Sequence, residues 1–321
     1  MLTRRHLAWS ALLAALALWP ASGPRAQGAP PAPERLPVVA SFSILGDLVR
    51  EVGGDRVALK VLVGPNGDAH VYTPTPADAR ALTEARLVFV NGLKFEGWMD
   101  RLVKSSGAKA ALVTASKGVR TVTSERPQDK GRHAKDSHGH DHRGAADPHA
   151  WHSIANAKVY VTNIRDALAE ADPAGRPAYE ANARDYTARL DALEAKVRTA
   201  LGRLPPDRRR IVTSHDAFGY LADAYGLAFV APRGVSTEAE ATARDVARLI
   251  TQIRRERIVA VFLENVTDSR LIGQIARETG ARIGGTLYSD ALTEPGEPAP
   301  TYIAMMRHNI TELTRALGPA S

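Results

Sequence analysis

Four separated side chains in this chain could together hold a metal ion: His70, His149, His215 and Asp290. They stand in Gly-Asp-Ala-His-Val-Tyr-Thr-Pro, Asp-Pro-His-Ala-Trp-His, Thr-Ser-His-Asp-Ala-Phe-Gly-Tyr and Leu-Tyr-Ser-Asp-Ala-Leu. Three imidazole nitrogens and one carboxylate form the nitrogen-rich, tetrahedral donor set that suits Zn²⁺. Each fragment alone has a blander reading. On the fragment alone His70, in a strand-to-helix loop, reads better as a surface residue, and the blander reading of Asp290 is a turn or N-cap aspartate. Pro148 restricts the backbone just before His149, and Trp151 is placed to wall the same site. His215 ends the apolar run Ile-Val-Thr-Ser, and loops at the carboxyl ends of parallel strands are where open α/β sheets bind ligands. Glu264, at the end of Val-Ala-Val-Phe-Leu-Glu, is the runner-up oxygen ligand. It reads as lobe packing, or as the partner that takes a hydrogen bond from the second nitrogen of a ligand histidine and fixes its tautomer.

The elements that must position these residues follow from periodicity. Short apolar runs at Val38–Ser41, Ala58–Val63 and Leu87–Asn91 alternate with amphipathic segments at Ile44–Val52 and Pro76–Ala85. Such alternation predicts a parallel sheet covered by helices. A second series starts at Ile211–Ser214 and continues through Phe229–Ala231, Val259–Leu263 and Arg282–Thr286. Between the two, Tyr179, Tyr186, Leu190, Leu193, Val197 and Leu201 share one helical face, and Pro205-Pro206 stops the pattern. A helix of roughly 25 residues measures about 38 Å, enough to run along two lobes. The alternative is an ordinary helix within one lobe. The expected organisation is an N-terminal α/β lobe over 37–174, a linking helix over 175–204 and a C-terminal α/β lobe over 205–321.

The first residues say where the chain works. Arg4 and Arg5, the apolar run Leu7–Trp19 and the small residues up to Ala26 have the layout of a cleaved export signal over 1–26. Thr3-Arg4-Arg5-His6-Leu7 also suggests the twin-arginine route. Residues 27–36, with Pro30, Pro31 and Pro33, read as a proline-rich, disordered start to the mature chain. No later stretch is long and apolar enough to cross a bilayer, so the mature protein is expected to be soluble. There is no cysteine, which leaves no lipid-bearing cysteine, disulfide or thiolate ligand; any metal must be held by nitrogen and oxygen. Loss of Arg4, Arg5 and Arg25 with the leader lowers the formal charge from +7 to +4. The basic residues are dispersed and no stacking motif accompanies them, which argues against nucleic acid as a partner.

These motifs carry a family resemblance. From Val-Val-Ala-Ser-Phe-Ser-Ile-Leu-Gly-Asp-Leu at Val38 to Thr-Tyr-Ile-Ala-Met-Met-Arg-His-Asn at Thr301, the chain resembles the zinc- and manganese-binding proteins of ABC importers, the cluster A-I or ZnuA-like group. Its arrangement is similar to the zinc-specific AztC type. The resemblance implies two α/β lobes, each a parallel sheet flanked by helices, joined by one long rigid helix, with the metal in the interlobe cleft. It places His70, His149, His215 and Asp290 at the first to fourth ligand positions. Manganese-selective relatives tend to carry a carboxylate at the third position, so His215 points to zinc. It also matches Gly131–His142, with His133, His138, His140 and His142, to the histidine-rich insertion of zinc-binding members. That segment lacks the apolar residues for a packed core and reads as a mobile loop for auxiliary metal capture, or else as a solvated linker.

The expected function is therefore capture of Zn²⁺ as cargo in the periplasm by a monomeric carrier. Delivery would be to an inner-membrane ABC permease with a cytoplasmic ATPase, and a periplasmic zinc chaperone is a further candidate partner. No Gly-x-x-x-x-Gly-Lys-Ser/Thr loop occurs, so the carrier itself has no phosphate site of that kind. The alternatives are a manganese carrier of the same family, a zinc store or chaperone without a permease, and a periplasmic zinc hydrolase using Asp216 as base. The hydrolase needs an open coordination position, and no His-Glu-x-x-His motif is present. His152 is read as pointing away from the metal position, with a loose auxiliary ligand or a site-lining proton acceptor as the alternatives, His308 as a surface or packing residue, and His6 as lost with the leader.

Overall fold

The computed structural model describes residues 35–123 and 146–318. The leader over 1–26, most of the proline-rich stretch over 27–36, and the histidine-rich segment 131–142 lie outside the described residues.

The first lobe is built on β1 (Leu36–Phe42), α1 (Ser43–Gly53), β2 (Val57–Val63), α2 (Pro76–Glu84), β3 (Leu87–Val90), α3 (Met99–Ser106) and β4 (Ala111–Thr114). Its strands are all parallel in the order β2-β1-β3-β4. In β1 every residue from Val38 to Phe42 is buried, the continuous apolar run expected of a strand covered on both faces. The start of α2 is set by a capping box, Thr75 with Asp78, and by Pro76, whose missing N–H costs nothing in the first turn.

Next come α4 (Ile154–Ala171) and the long α5 (Arg176–Gly202). One stripe of α5 is buried: Tyr179, Ala183, Tyr186, Leu190, Leu193, Val197 and Leu201. Its 27 residues span about 40 Å. The helix ends at Gly202, two residues before the predicted Leu204.

The second lobe comprises β5 (Arg210–Val212), α6 (Gly219–Tyr225), β6 (Ala228–Val230), α7 (Ala243–Glu256), β7 (Ala260–Glu264), α8 (Ser269–Thr279), β8 (Arg282–Leu287) and α9 (Tyr302–Leu317). Its strands are again parallel, in the order β6-β5-β7-β8. β5 is shorter than the predicted Ile211–Ser214, because the backbone N–H groups of Ser214 and His215 leave the ladder to donate to the Glu264 carboxylate. Along β7, Val261 faces a separate cluster with Leu249, Ile253, Ile272 and Ile275 of α7 and α8. Ala260 and Phe262 face the other way, into a core shared with the first lobe and α5. This is the two-residue alternation of a strand. α5 packs on α1 and α4 of the first lobe and on α6 and α9 of the second. The two lobes therefore share one apolar interior along this helix, which opposes wide opening between them. Among the described residues no helix is long and apolar enough to cross a membrane.

Candidate metal centre

Each candidate side chain is aimed by a local device. After β2 the chain turns through Asp68, whose Oδ1 accepts the backbone N–H of His70 at 2.9 Å. Trp98 Nε1 donates to the Ala69 carbonyl at 2.7 Å from the other side. The same turn recurs before the second histidine: Asp147 Oδ1 accepts the backbone N–H of His149 at 2.9 Å, and it also lies 2.7 Å from the ring Nδ1. Asn91 donates to the Pro148 carbonyl at 2.9 Å and is itself bonded by Tyr160, so the turn is fixed to the end of β3. His215 depends on a distant partner. Glu264 Oε1 accepts the N–H groups of Ser214 and His215 at 2.6 and 2.9 Å, and Oε2 lies 2.6 Å from His215 Nδ1. Asp290 follows β8, in a segment where Ser289 O accepts from Trp151 Nε1 at 3.0 Å and Leu292 N donates to Ser43 Oγ at 2.9 Å.

With the Nδ1 edges of His149 and His215 taken by carboxylates, their Nε2 atoms point inward to meet His70 and Asp290. His70 Nε2 is 3.3 Å from His149 Nε2 and 3.4 Å from Asp290 Oδ2. His149 Nε2 is 3.4 Å from Asp290 Oδ1, and His215 Nε2 is 3.2 Å from Asp290 Oδ2. One donor atom from each of the four residues falls within 4.8 Å of all the others. A tetrahedral ion with bonds of about 2.05 Å has donor–donor edges of about 3.3 Å, so these separations are those of atoms able to share one cation.

The electrostatics point the same way. His149, His215 and Asp290 are fully buried, and the His70 side chain is 4% exposed. Neither Asp290 oxygen nor either ring nitrogen of His215 makes a hydrogen bond, the 2.6 Å approach of His215 Nδ1 to Glu264 Oε2 being an ion-pair contact; the inward-facing atoms are expensive to bury unless a cation completes them. Burial alone would raise the Asp290 carboxyl; the His215 and His149 imidazoles outweigh it and hold the group well below the usual carboxylate range. Burial would depress His215, but Glu264 and Asp290 hold it well above its ordinary value. His70 is lowered, chiefly by burial. The wall is aromatic. Phe95 meets the His70 ring edge-on at 4.6 Å, Trp151 meets His149 at 5.3 Å, and Phe95 and Trp151 pack at 4.9 Å.

His152 is fully buried between Trp151 and Phe218, outside the four-residue group, and burial pushes its pKa down to about 3. It is a neutral wall residue. His308 rests on Tyr288, with Nε2 3.0 Å from the Thr286 carbonyl. Asp216 is not among the four converging residues. His133, His138, His140 and His142 lie outside the described residues. The sequence reading passed over Asp147 and treated Asp68 only as a flanking residue. Their signal was the repeated Asp-x-His, in which a short carboxylate bonds its own backbone two residues on.

Two parallel-sheet lobes of like strand order, bridged by one helix and enclosing a buried imidazole–carboxylate cluster, define a two-lobed binding protein for a metal ion. The family model "Zinc-uptake complex component A periplasmic" matches residues 38–316. The iron-binding protein YfeA of Yersinia pestis is 34% identical over 286 residues, covering 89% of this chain and 87% of YfeA. The periplasmic zinc binding protein TroA from Treponema pallidum superposes with a TM-score of 0.77 at 30% identity, covering 88% of this chain and 99% of TroA. A Mn-bound periplasmic metal binding protein from Candidatus Liberibacter asiaticus gives 0.76 at 30% identity, covering 88% and 100%. The chain belongs to the ZnuA family of periplasmic metal-binding proteins of ABC transporters. It is a substrate-binding protein rather than an enzyme, it acts outside the cytoplasm, and its family works with ABC permease and ATPase components.

Proposed function

We propose that the cargo is Zn²⁺, held by His70, His149, His215 and Asp290 and released to an inner-membrane ABC permease for import. The observation that carries this reading is the donor set itself. Three imidazole nitrogens and one carboxylate, spaced 3.2 to 3.4 Å along four of their contacts, suit a borderline tetrahedral ion better than the oxygen-rich, higher-coordinate surroundings that manganese prefers. The relatives' names divide between iron, manganese and zinc, so the choice rests on this chain's own donors. Protons compete for the same nitrogens, and binding is expected to weaken as the pH falls.

The test is a competition titration of metal-free mature protein with Zn²⁺ and Mn²⁺ against a chelator, alongside His215→Ala. One tight zinc equivalent, weak manganese binding and a large loss in the variant are expected. Equal or tighter manganese binding would move the assignment to a manganese carrier. We further propose export by a cleaved leader over 1–26, a monomeric carrier, and auxiliary capture by His133, His138, His140 and His142. Deletion of 131–142 should remove weak zinc equivalents and leave the tight one. Loss of the tight equivalent would refute the four-residue assignment.

A further inference from the structure

The chain order assigns Asp290 to the second lobe, but the residues on either side of it, Ser289 and Leu292, hydrogen-bond to the first. On one side of it, the Ser289 carbonyl accepts from Trp151 Nε1 at 3.0 Å. On the other, Leu292 N donates to Ser43 Oγ at 2.9 Å, and Leu292 O accepts the Asn66 backbone N–H at 2.8 Å. Where the segment enters α9, Tyr302 N donates to Asp47 Oδ2 at 2.8 Å, and its hydroxyl donates to the Trp151 carbonyl at 2.7 Å. Ser43, Asp47, Asn66 and Trp151 all precede α5. From the second lobe, Asn265 reaches the Ala291 carbonyl at 3.2 Å, and Asn309 of α9 accepts the Tyr288 N–H at 2.9 Å and donates to the Tyr288 carbonyl at 2.8 Å.

His215 is held the other way. The N–H groups of Ser214 and His215 both go to Glu264, its carbonyl accepts from Thr213 Oγ1, and its ring contacts Glu264, all within the second lobe. The first lobe meets this neighbourhood through side-chain tips, Tyr220 on the Asp147 carbonyl and Thr237 on Asp68 Oδ2. The backbone flanking His215 is thus tied to the second sheet, whereas the backbone flanking Asp290, held by Asn309 and Asn265 of the second lobe, is also bonded on both sides to the first lobe, at Ser289 and at Leu292.

We infer that Ser43 and Trp151 are positioning residues for Asp290, so that His70, His149 and Asp290 form one half-site on the frame of the first lobe and His215 alone follows the second sheet. The inference rests on the reading of these four residues as the cargo site. Ser43 does not touch the metal position; it acts through the Leu292 amide, two residues from Asp290. Trp151 acts through the Ser289 carbonyl. Release of cargo then needs withdrawal of His215 only, leaving a three-donor half-site with weaker hold.

A double-mutant cycle on the full mature chain separates positioning from general damage. Zn²⁺ affinity is measured by chelator competition, and Co²⁺ affinity by direct titration of the d–d absorption where binding is weak. Ser43→Ala is expected to weaken both by about tenfold, in line with loss of a group that orients a ligand. Placed on Asp290→Ala, the same substitution should cost less than twofold, because the group it positions is gone. On His215→Ala it should again cost about tenfold. Trp151→Phe, which removes the Nε1 donor and keeps an aromatic ring, should repeat the pattern. An effect of Ser43→Ala that persists on Asp290→Ala, vanishes on His215→Ala or is absent from the wild type overturns the inference. Failure of the carrier reading is distinguishable: the wild-type chain would then take up no tight equivalent.

Discussion

The histidines of the two lobes are held by different means. His70 and His149 each follow an aspartate by two residues, and that aspartate accepts the histidine's own backbone N–H at 2.9 Å. His215 has its backbone and ring gripped by Glu264, 49 residues later, on the neighbouring strand β7. The first arrangement is a property of a short peptide and needs the fold only to bring the turns together. The second exists only once β5 and β7 have paired, so completion of the site is coupled to formation of the second sheet. The first lobe has a buried glutamate in a related place. Glu96, just past β3, accepts from Ser41 Oγ and from the backbone N–H groups of Asn91 and Gly92. Burial holds its carboxyl above the usual range despite those bonds. None of those partners is a candidate ligand, whereas Glu264 at the matching strand end in the second lobe grips His215 directly.

The sharpest way to break this comparison is to remove Glu264. Glu264→Ala leaves the Ser214 and His215 N–H groups without their acceptor and frees the His215 ring, so Zn²⁺ affinity should fall by about 100-fold or more. Glu264→Gln keeps an acceptor oxygen and should recover part of the loss. Chelator competition reads both. An Ala variant within threefold of wild type would mean that the strand end, and not the carboxylate, aims His215.

The local turns should differ from one another by a smaller margin. Asp147 contacts both the backbone N–H and the Nδ1 edge of His149, whereas Asp68 accepts the backbone N–H of His70. Asp147→Asn, which weakens the hold on the imidazole tautomer, should cost about tenfold in zinc affinity. Asp68→Ala should cost less, about threefold, because Trp98 still holds the Ala69 carbonyl. Equal losses, or a reversed order by isothermal titration, would remove the distinction between ring-holding and backbone-holding carboxylates.

The same distinction explains what could be read from the sequence. The two lobes and the long helix were legible, because apolar runs and the stripe from Tyr179 to Leu201 have periods set by single elements. Three histidines and Asp290 were legible as a set from donor type together with the family resemblance, since His70 and Asp290 each have a blander local reading. Glu264 was legible only as one of two roles, since nothing local says which strand it will face. Asp147 was missed although Asp-x-His states its function locally. The attachment of the Asp290 segment to Ser43 and Trp151 could not be read at all: the pairs are 249 and 138 residues apart, and neither serine nor tryptophan declares such a partner in advance.

The smallest expected effect lies with a buried carboxylate that serves the frame and not a candidate ligand. Asp47 accepts the Tyr302 N–H, lies 3.4 Å from Arg50, and is pushed up to about 6, chiefly by burial. Glu51, Arg189 and the Tyr186 hydroxyl also face it. The folded chain therefore binds this proton more tightly than the unfolded one, whose carboxyl titrates near 3.8. The stabilisation from protonated Asp47 is complete below that value and is lost as the pH rises through about 6. Asp47→Asn keeps an acceptor for Tyr302 without a charge to bury. Its thermal midpoint should match wild type near pH 4 and exceed it above pH 6 by the equivalent of roughly 1–3 kcal/mol. Zinc affinity should stay within twofold, since Asp47 meets the Asp290 segment only at its far end. If Asp47→Asn lowers zinc affinity as much as Asp147→Asn does, frame-holding and ligand-holding carboxylates are not separate classes in this protein. If instead it lowers stability at neutral pH, the nearby Arg50 and Arg189 charges outweigh the cost of burying the carboxylate.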